Sequence, residues 1–383
     1  MQIVVDHLTR PWGLDLQVGL TAGWLSSRNE AVSVYATDYD ETFFPAIENH
    51  VTVSSSPGSK LDPSAPTLCG PYPANYWPYQ AGVNNYSVLM PYIPWDLYPR
   101  KKRNWLGRLP AYLSEDRKLI LESLLELCYY PWYTIRKTYQ RLLDRNAVEG
   151  AKDIFIYDDR LRKPVQDVYG REPTLISPVA AIGSGKTSDP DQKIVAMGPY
   201  EPLQNVKRLI DAFYLFVNLL GTQRREDWDG RNPMQMWQPG NFTLEIFGRG
   251  DGKSYLEEYA ESQQLGEQIE FNDWVPSEDY DSTIGSALAV IDIPLAGDAS
   301  TLVYHALAMG VPAVHTRHHR GIDTFLEDSP LSIKTSSTDT TQIAQGILEA
   351  AKVPSSQRIP NDDLKKAMDV ESGAKHLKQE IIN

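Results

Sequence analysis

The sequence predicts an α/β protein built from two Rossmann-like domains, and three features predict it. Short apolar, β-branched strands alternate with amphipathic helices along most of the chain, the pattern of parallel βαβ units. A polar, Gly/Ser-rich stretch over residues 180–192 interrupts that pattern near its middle. A length of 383 residues is enough for two cores of ordinary size. The domains are placed at 1–190 and 191–360, followed by a helical segment over 361–383.

In order, residues 2–5 read as a strand, 8–15 as a Pro/Gly loop, and 16–27 as a helix with apolar residues at helical spacing. Residues 32–36 give a second strand, and 49–73, rich in Ser, Pro and Gly, read as a long irregular loop. A strand at 88–92, helices at 117–127 and 133–146, a strand at 154–157, a helix over 159–169 and a strand at 174–176 complete the first domain. The second opens with a strand, a Gly/Pro turn and an amphipathic helix over 193–213, then carries a polar, Trp-containing insertion at 221–241. A strand and glycine turn follow at 242–252 (FTLEIFGRGDG), with a helix over 253–263 and a strand and turn over 269–276 (IEFNDWVP). The strand at 287–293 runs into a small-residue loop and a helix that stops at Gly310, before Pro312. That segment, PLAGDASTLVYHALAMGVPAV, places a helix N-terminus at the carboxyl end of a parallel strand. Free N–H groups and the helix dipole there favour a phosphate, and ligands of open α/β sheets bind along this edge. An ordinary βα turn without a ligand is the alternative.

Hydrophobic content of 42% and charged content of 23% are those of a globular protein. No run approaches the ~20 apolar residues of a membrane span. The chain starts on a strand rather than a signal peptide, and its two cysteines, Cys69 and Cys128, have neither metal spacing nor a catalytic partner; both point to a reducing cytoplasm. A net charge of −13 argues against nucleic-acid binding. Residues 98–145 nevertheless hold 11 Lys/Arg against 5 Asp/Glu, beginning with Arg100–Arg103 beside Trp95, Tyr98 and Trp105. Such a segment suits an anionic membrane surface, or it is a solvated loop followed by a charged helix. Residues 183–187, GSGKT, mimic the tail of a phosphate-binding P-loop, but Ala180 stands where its first glycine belongs and no helix can follow, so they read as linker.

The order and spacing of the second-domain turns resemble GT-B glycosyltransferases, specifically the large retaining family 4, over nearly the whole chain. Residues 6–44 are similar to the opening of the lipid-linked-oligosaccharide mannosyltransferase branch, whose Thr-x-Tyr-Asp after the second strand matches Thr37, Tyr39 and Asp40. Tyr200, Glu201 and Asn205 also match that branch, and 368–382 (MDVESGAKHLKQEII) resembles the family's terminal motif. The resemblance implies two Rossmann-like domains facing each other across a cleft, with the C-terminal helix crossing back onto the first. The first domain would hold a glycan or lipid-linked acceptor, and the second a nucleotide-diphosphate sugar. It implies no metal and no cofactor, and work on the cytoplasmic membrane face.

Retaining GT-B chemistry rests on cations and N–H donors preorganised around the departing diphosphate. Here the chain departs from the family: Pro199 and Gln204 occupy its Arg and Lys positions, and Gly297 and His305 those of its paired glutamates. The catalytic positions carried over are Tyr92, where the family has a histidine, and His305. The donor-binding positions are Gly13, Gly248, Arg249, Trp274, Val275, Asp298, Ala299, Ser300, Thr301 and His305. Asp298, Ser300 and Thr301 serve equally well as helix caps, as does Asp15, which stands at the family's loop glutamate. Arg249, inside a glycine turn, leads the candidates to replace the missing cations, with Arg10, Lys207 and Arg208 behind it. His315, Arg317, His318, His319 and Arg320 read as a basic loop without metal geometry. Two readings follow: an active transferase, or a catalytically silent GT-B protein that binds a partner.

Overall fold

The computed structural model of the chain describes residues 1–9, 13–71, 73–90, 130–157, 161–176, 190–201, 204–222, 241–276, 279–295, 301–316 and 329–382. The strands of the first half are Gln2–Val4 (β1), His7–Leu8 (β2), Ser33–Ala36 (β3), Asp38–Tyr39 (β4), Val51–Val53 (β5), Thr67–Cys69 (β6), Tyr86–Met90 (β7), Ile154–Ile156 (β8) and Thr174–Leu175 (β9). Seven of them form a parallel sheet in the order β5-β3-β1-β6-β7-β8-β9. Every residue of β1, β6, β7 and β8 is buried, as expected of parallel strands covered on both faces. The remaining two, β2 and β4, continue beyond β1 and β3 as a small parallel ribbon in which His7 pairs with Asp38 and Leu8 with Tyr39.

The second half repeats the plan with Lys193–Met197 (β10), Thr243–Phe247 (β11), Ile269–Asn272 (β12), Ala289–Asp292 (β13), Ala313–Thr316 (β14) and Ser332–Thr335 (β15). Its order is β12-β11-β10-β13-β14-β15, parallel throughout. In both sheets the chain runs outward on one side of its first strand and then returns to the other side. This doubly wound order creates a switch point, beside β1 in one sheet and β10 in the other, where a crevice opens at the carboxyl ends.

Helices cover the faces. Val206–Thr222 and Thr340–Lys352 lie together on the second sheet, burying Ile210, Phe213 and Phe216 with Ile343, Ala344 and Ile347. The latter helix is capped by Asp339, whose carboxylate accepts from Thr341 N at 3.0 Å and Gln342 N at 3.1 Å. The last helix, Val370–Ile382, crosses back to the first sheet, where Leu377 and Ile381 pack with Leu68, Leu89 and Phe155. Lys378 reaches Glu30 at 2.6 Å and Arg28 reaches Glu371 at 3.2 Å along the same seam. Under the first sheet, the fully buried Asp144 accepts from Asn75 Nδ2 at 2.7 Å and from the Tyr169 hydroxyl at 2.8 Å. It thereby ties the helix Tyr130–Gly150 to the segments on either side.

The sequence reading needs correction in three places. Residues 49–73 are not one irregular loop: they contain β5 and β6, and β6 is wedged between β1 and β7. The first helix, Gly13–Ser27, takes in part of the expected Pro/Gly loop. His315 belongs to the buried strand β14, its Nε2 2.9 Å from Ser332 Oγ, rather than to a basic loop. The expected helix at 117–127, residues 317–320, Cys128, the GSGKT segment and most of the 221–241 insertion lie outside the described residues.

Candidate active site

The first turns after β10 and β11 are pressed against each other. Gly198 N donates to Phe247 O at 3.0 Å, Tyr200 N to Arg249 O at 3.0 Å, and Gly248 N to Asn272 O at 3.1 Å. A Cβ on Gly248 would stand 1.9 Å from Gly198 O, so no other residue fits there. The buried Tyr200 hydroxyl shares its single proton between the carbonyls of Ile246, at 2.8 Å, and Asn272, at 2.6 Å, stapling the turns to the sheet. Burial, with the charges of Asp273 and Glu257 behind it, pushes its phenol up. Asn205 adopts a left-handed φ of 61° and donates to Ile293 O at 3.1 Å and Ser337 O at 2.7 Å. Arg208 joins this knot through Asn205 Oδ1 and Ser337 O, both at 3.1 Å.

These turns face the carboxyl end of the first sheet across a cleft of about 630 Å³. Its first-domain wall is Thr9 and residues 38–42; its second-domain wall is Pro199, Glu201, Arg249, Gly250 and Trp274. Arg249 spans the two. Its Nε donates to Asp273 Oδ1 at 2.5 Å, its Nη1 to Asp40 Oδ2 at 3.3 Å, and its guanidinium lies 5.4 Å from the centre of the Phe43 ring. Both carboxylates are held in place by backbone: Asp273 Oδ1 accepts from Trp274 N at 2.7 Å, and Asp40 Oδ1 from Thr42 N at 3.0 Å. The hydrogen bond to Asp273 raises the Arg249 pKa above its ordinary value. Partial burial works to raise that of Asp273, but the bonds from Arg249 and Trp274 N outweigh it and hold the carboxyl low. Among the described residues, the lining carries four carboxylates (Asp38, Asp40, Glu41 and Glu201) and one cation.

The positions expected from sequence are distributed as follows. Gly13 opens the first helix, and Asp15 in its first turn accepts from Thr9 N at 3.1 Å, holding the loop at the cleft. Gly248 and Arg249 lie in the glycine turn. Trp274, 7% exposed, lines the cleft and packs into the first-domain core with Phe43 and Phe44, while Val275 is buried in the second-domain core. Thr301 opens the helix Thr301–Ala308 with its Oγ1 buried and, among the described residues, without a hydrogen-bond partner. His305 does not line the cleft: it is buried, its Nε2 2.6 Å from Asp281 Oδ1 and its ring edge-on to Tyr280. Of the reserve cations, Lys207 stands over the Tyr259 ring, 4.6 Å from its centre, and Arg208 is taken by the Asn205 knot. Tyr92, Asp298, Ala299, Ser300 and Arg10 lie outside the described residues. Sequence reasoning assigned no role to the acidic wall, although the run Thr37-Asp38-Tyr39-Asp40-Glu41 directly follows a strand's carboxyl end, where a ligand-facing loop is due.

No protein-family model and no curated protein matches the sequence. Solved structures do. HepE of Anabaena in complex with UDP-glucose superposes with a TM-score of 0.65 at 13% identity, covering 99% of this chain and 98% of its own. WaaG, a glycosyltransferase involved in lipopolysaccharide biosynthesis, gives 0.63 at 14% identity, with 100% and 99% covered. TarM of S. aureus, crystallised with UDP, gives 0.56 at 11% identity over 85% of this chain, which spans only 57% of the TarM chain. The chain has the GT-B fold.

Proposed function

We propose that the protein is a glycosyltransferase that moves a sugar from a nucleotide-diphosphate donor to a glycan or lipid-linked acceptor. The observation that carries this reading is the glycine turn after β11, which presents Arg249 into an interdomain cleft opposite residues 38–42. The N-terminus of Thr301–Ala308 follows β13, on the other side of the switch point, and supplies N–H donors and the Thr301 hydroxyl for a diphosphate. The fold shared with structures that hold UDP and UDP-glucose supports the same donor class. Transfer with retention of configuration, as in family 4 and its mannosyltransferase branch, needs neither metal nor cofactor: charge on the leaving diphosphate is stabilised by fixed donors, and the acceptor hydroxyl enters from the same face. A site at the cytoplasmic membrane face agrees with the basic run at 98–145 and with Tyr139 and Leu142, both more than half exposed on the helix Tyr130–Gly150 in which that run ends. No helix among the described residues is long and apolar enough to cross a membrane.

A specific observation favours a second reading, a catalytically silent GT-B protein that binds a partner. Arg249 is already neutralised by Asp40 and Asp273, and Pro199 and Gln204 bring no charge. Calorimetric titration with UDP, GDP and their sugar conjugates decides between the two. Micromolar binding of one nucleotide, lost in Arg249→Ala, is the result expected of the transferase. No binding at millimolar concentration removes that reading and leaves the silent one. Retention is tested by the anomeric configuration of the product, and membrane attachment by sedimentation with vesicles containing anionic lipid.

A further inference from the structure

Arg249 is the single described cation in the cleft lining, and its two carboxylate partners come from different domains. Asp273 is its neighbour on the same sheet, while Asp40 lies 209 residues away on the first-domain wall. We propose that Asp40 is a built-in competitor for the donor diphosphate: in the empty protein its carboxylate occupies the guanidinium that the donor needs, and donor binding displaces it. The inference rests on the nucleotide-sugar reading above.

Three observations carry it. First, Asp40 is presented rather than loosely placed. Its N donates to Leu8 O at 3.1 Å, its Oδ1 accepts from Thr42 N, and its Oδ2 is thereby left facing Arg249. Second, the contact sits on a seam that holds the domains together. Phe43 lies against the same guanidinium, and Trp274, next to Asp273, is buried among first-domain residues. Displacing Asp40 therefore loosens one point of the seam while Trp274 stays packed across it. Third, the exchange is of like for like. Carboxylate and diphosphate oxygens take the same kind of guanidinium N–H donor, and a diphosphate drawn to the Nη edge meets the negative charge of Asp40, which already holds Nη1. Asp273 stays in place throughout, orienting Nε and leaving the Nη edge for whichever anion is present.

The contact also gives Asp40 a role separable from the general acidity of the wall. Asp38 lines the same cleft with the same charge, but its Oδ1 accepts from Tyr39 N at 2.9 Å. A change at Asp38 alters the field in the cleft, and a change at Asp40 alters the field and also releases Nη1 of Arg249.

The test uses the full chain and UDP as probe, with Asp40→Asn, Asp38→Asn and the wild type titrated side by side after circular dichroism has shown that all three are folded. Asp40→Asn is expected to bind UDP roughly 3–10-fold more tightly than wild type, the size of a half-exposed ion pair plus one relieved repulsion, and clearly more tightly than Asp38→Asn. Hydrogen–deuterium exchange supplies the second readout: UDP should raise exchange in residues 38–44 of the wild type and leave it unchanged in Asp40→Asn. If the wild type binds UDP and Asp40→Asn binds no better than Asp38→Asn, the competition is refuted and the donor reading stands. Protection of residues 38–44 by UDP refutes it as well. If no variant binds UDP or any other nucleoside diphosphate, the donor reading and the competition fall together.

Discussion

Replacing Gly248 by alanine tests whether the two glycine turns meet as closely as described. The added methyl would stand 1.9 Å from Gly198 O and 2.9 Å from Gly198 C. Carbon–oxygen contacts settle at about 3.3–3.6 Å, so the turns must part by well over 1 Å. Neither can retreat alone, because Gly198 N bonds Phe247 O, Gly248 N bonds Asn272 O and Tyr200 N bonds Arg249 O. Overpacking of this kind costs about 1–3 kcal/mol, and each buried backbone group left unpaired about 1–3 kcal/mol more. One strained contact and one unpaired backbone group give about 2–6 kcal/mol, equivalent to a fall of roughly 4–24 °C in the melting temperature of a domain this size. Differential scanning calorimetry resolves the transition, since the two domains need not melt together. Gly23→Ala is the matched control: its Cβ would meet Ala46 and Ile47 at 3.8 Å, ordinary contact, inside a helix. That variant should be unchanged or up to ~1 kcal/mol more stable. A Gly248→Ala protein melting within about 1 °C of wild type would refute the close approach and the glycine requirement drawn from it.

Trp274→Ala should cost about 3–5 kcal/mol in chemical denaturation and raise hydrogen exchange in residues 38–44, because the indole is buried among first-domain residues; a change confined to the second domain would contradict the seam. Asp144→Ala leaves Asn75 Nδ2 and the Tyr169 hydroxyl without their acceptor and should cost about 2–5 kcal/mol, read from the urea midpoint. Asp273 has its carboxyl pKa held below the unfolded value, so its pairing contributes above roughly pH 4 and is lost as pH falls through the folded pKa. Between about pH 5 and 3 the wild type should therefore lose stability faster than Asp273→Asn, and parallel urea midpoints would count against the pair.

The alternating pattern was legible because strands such as Lys193–Met197 and Ala289–Asp292 are compact apolar runs bounded by glycine and proline, signals that are local. Thr67–Cys69 was not: three residues between Pro66 and Gly70 carry no periodicity, and burial on both sides is decided by β1 and β7, which lie far away in the chain. The same division runs through the cleft. The glycine turn holding Arg249 can be read from its own residues, but nothing local to Arg249 names Asp40 as its partner. His305 shows the converse, since matching its position to a family glutamate could not reveal that Asp281 takes its Nε2.

The return of Val370–Ile382 to the first sheet fixes the order in which the molecule can be completed. Leu68, Leu89 and Phe155 leave the ribosome long before Leu377 and Ile381, which close over them. At roughly 5–20 residues per second, the ~200 residues between β9 and that helix take about 10–40 s to make. For that interval the first sheet carries an uncovered apolar patch while the second domain is still emerging, the condition in which nascent chains are captured by chaperones or by each other. The helix Val370–Ile382, made after the whole second sheet, is thus needed to finish the first half, and the two halves, though each has its own sheet, mature as one unit.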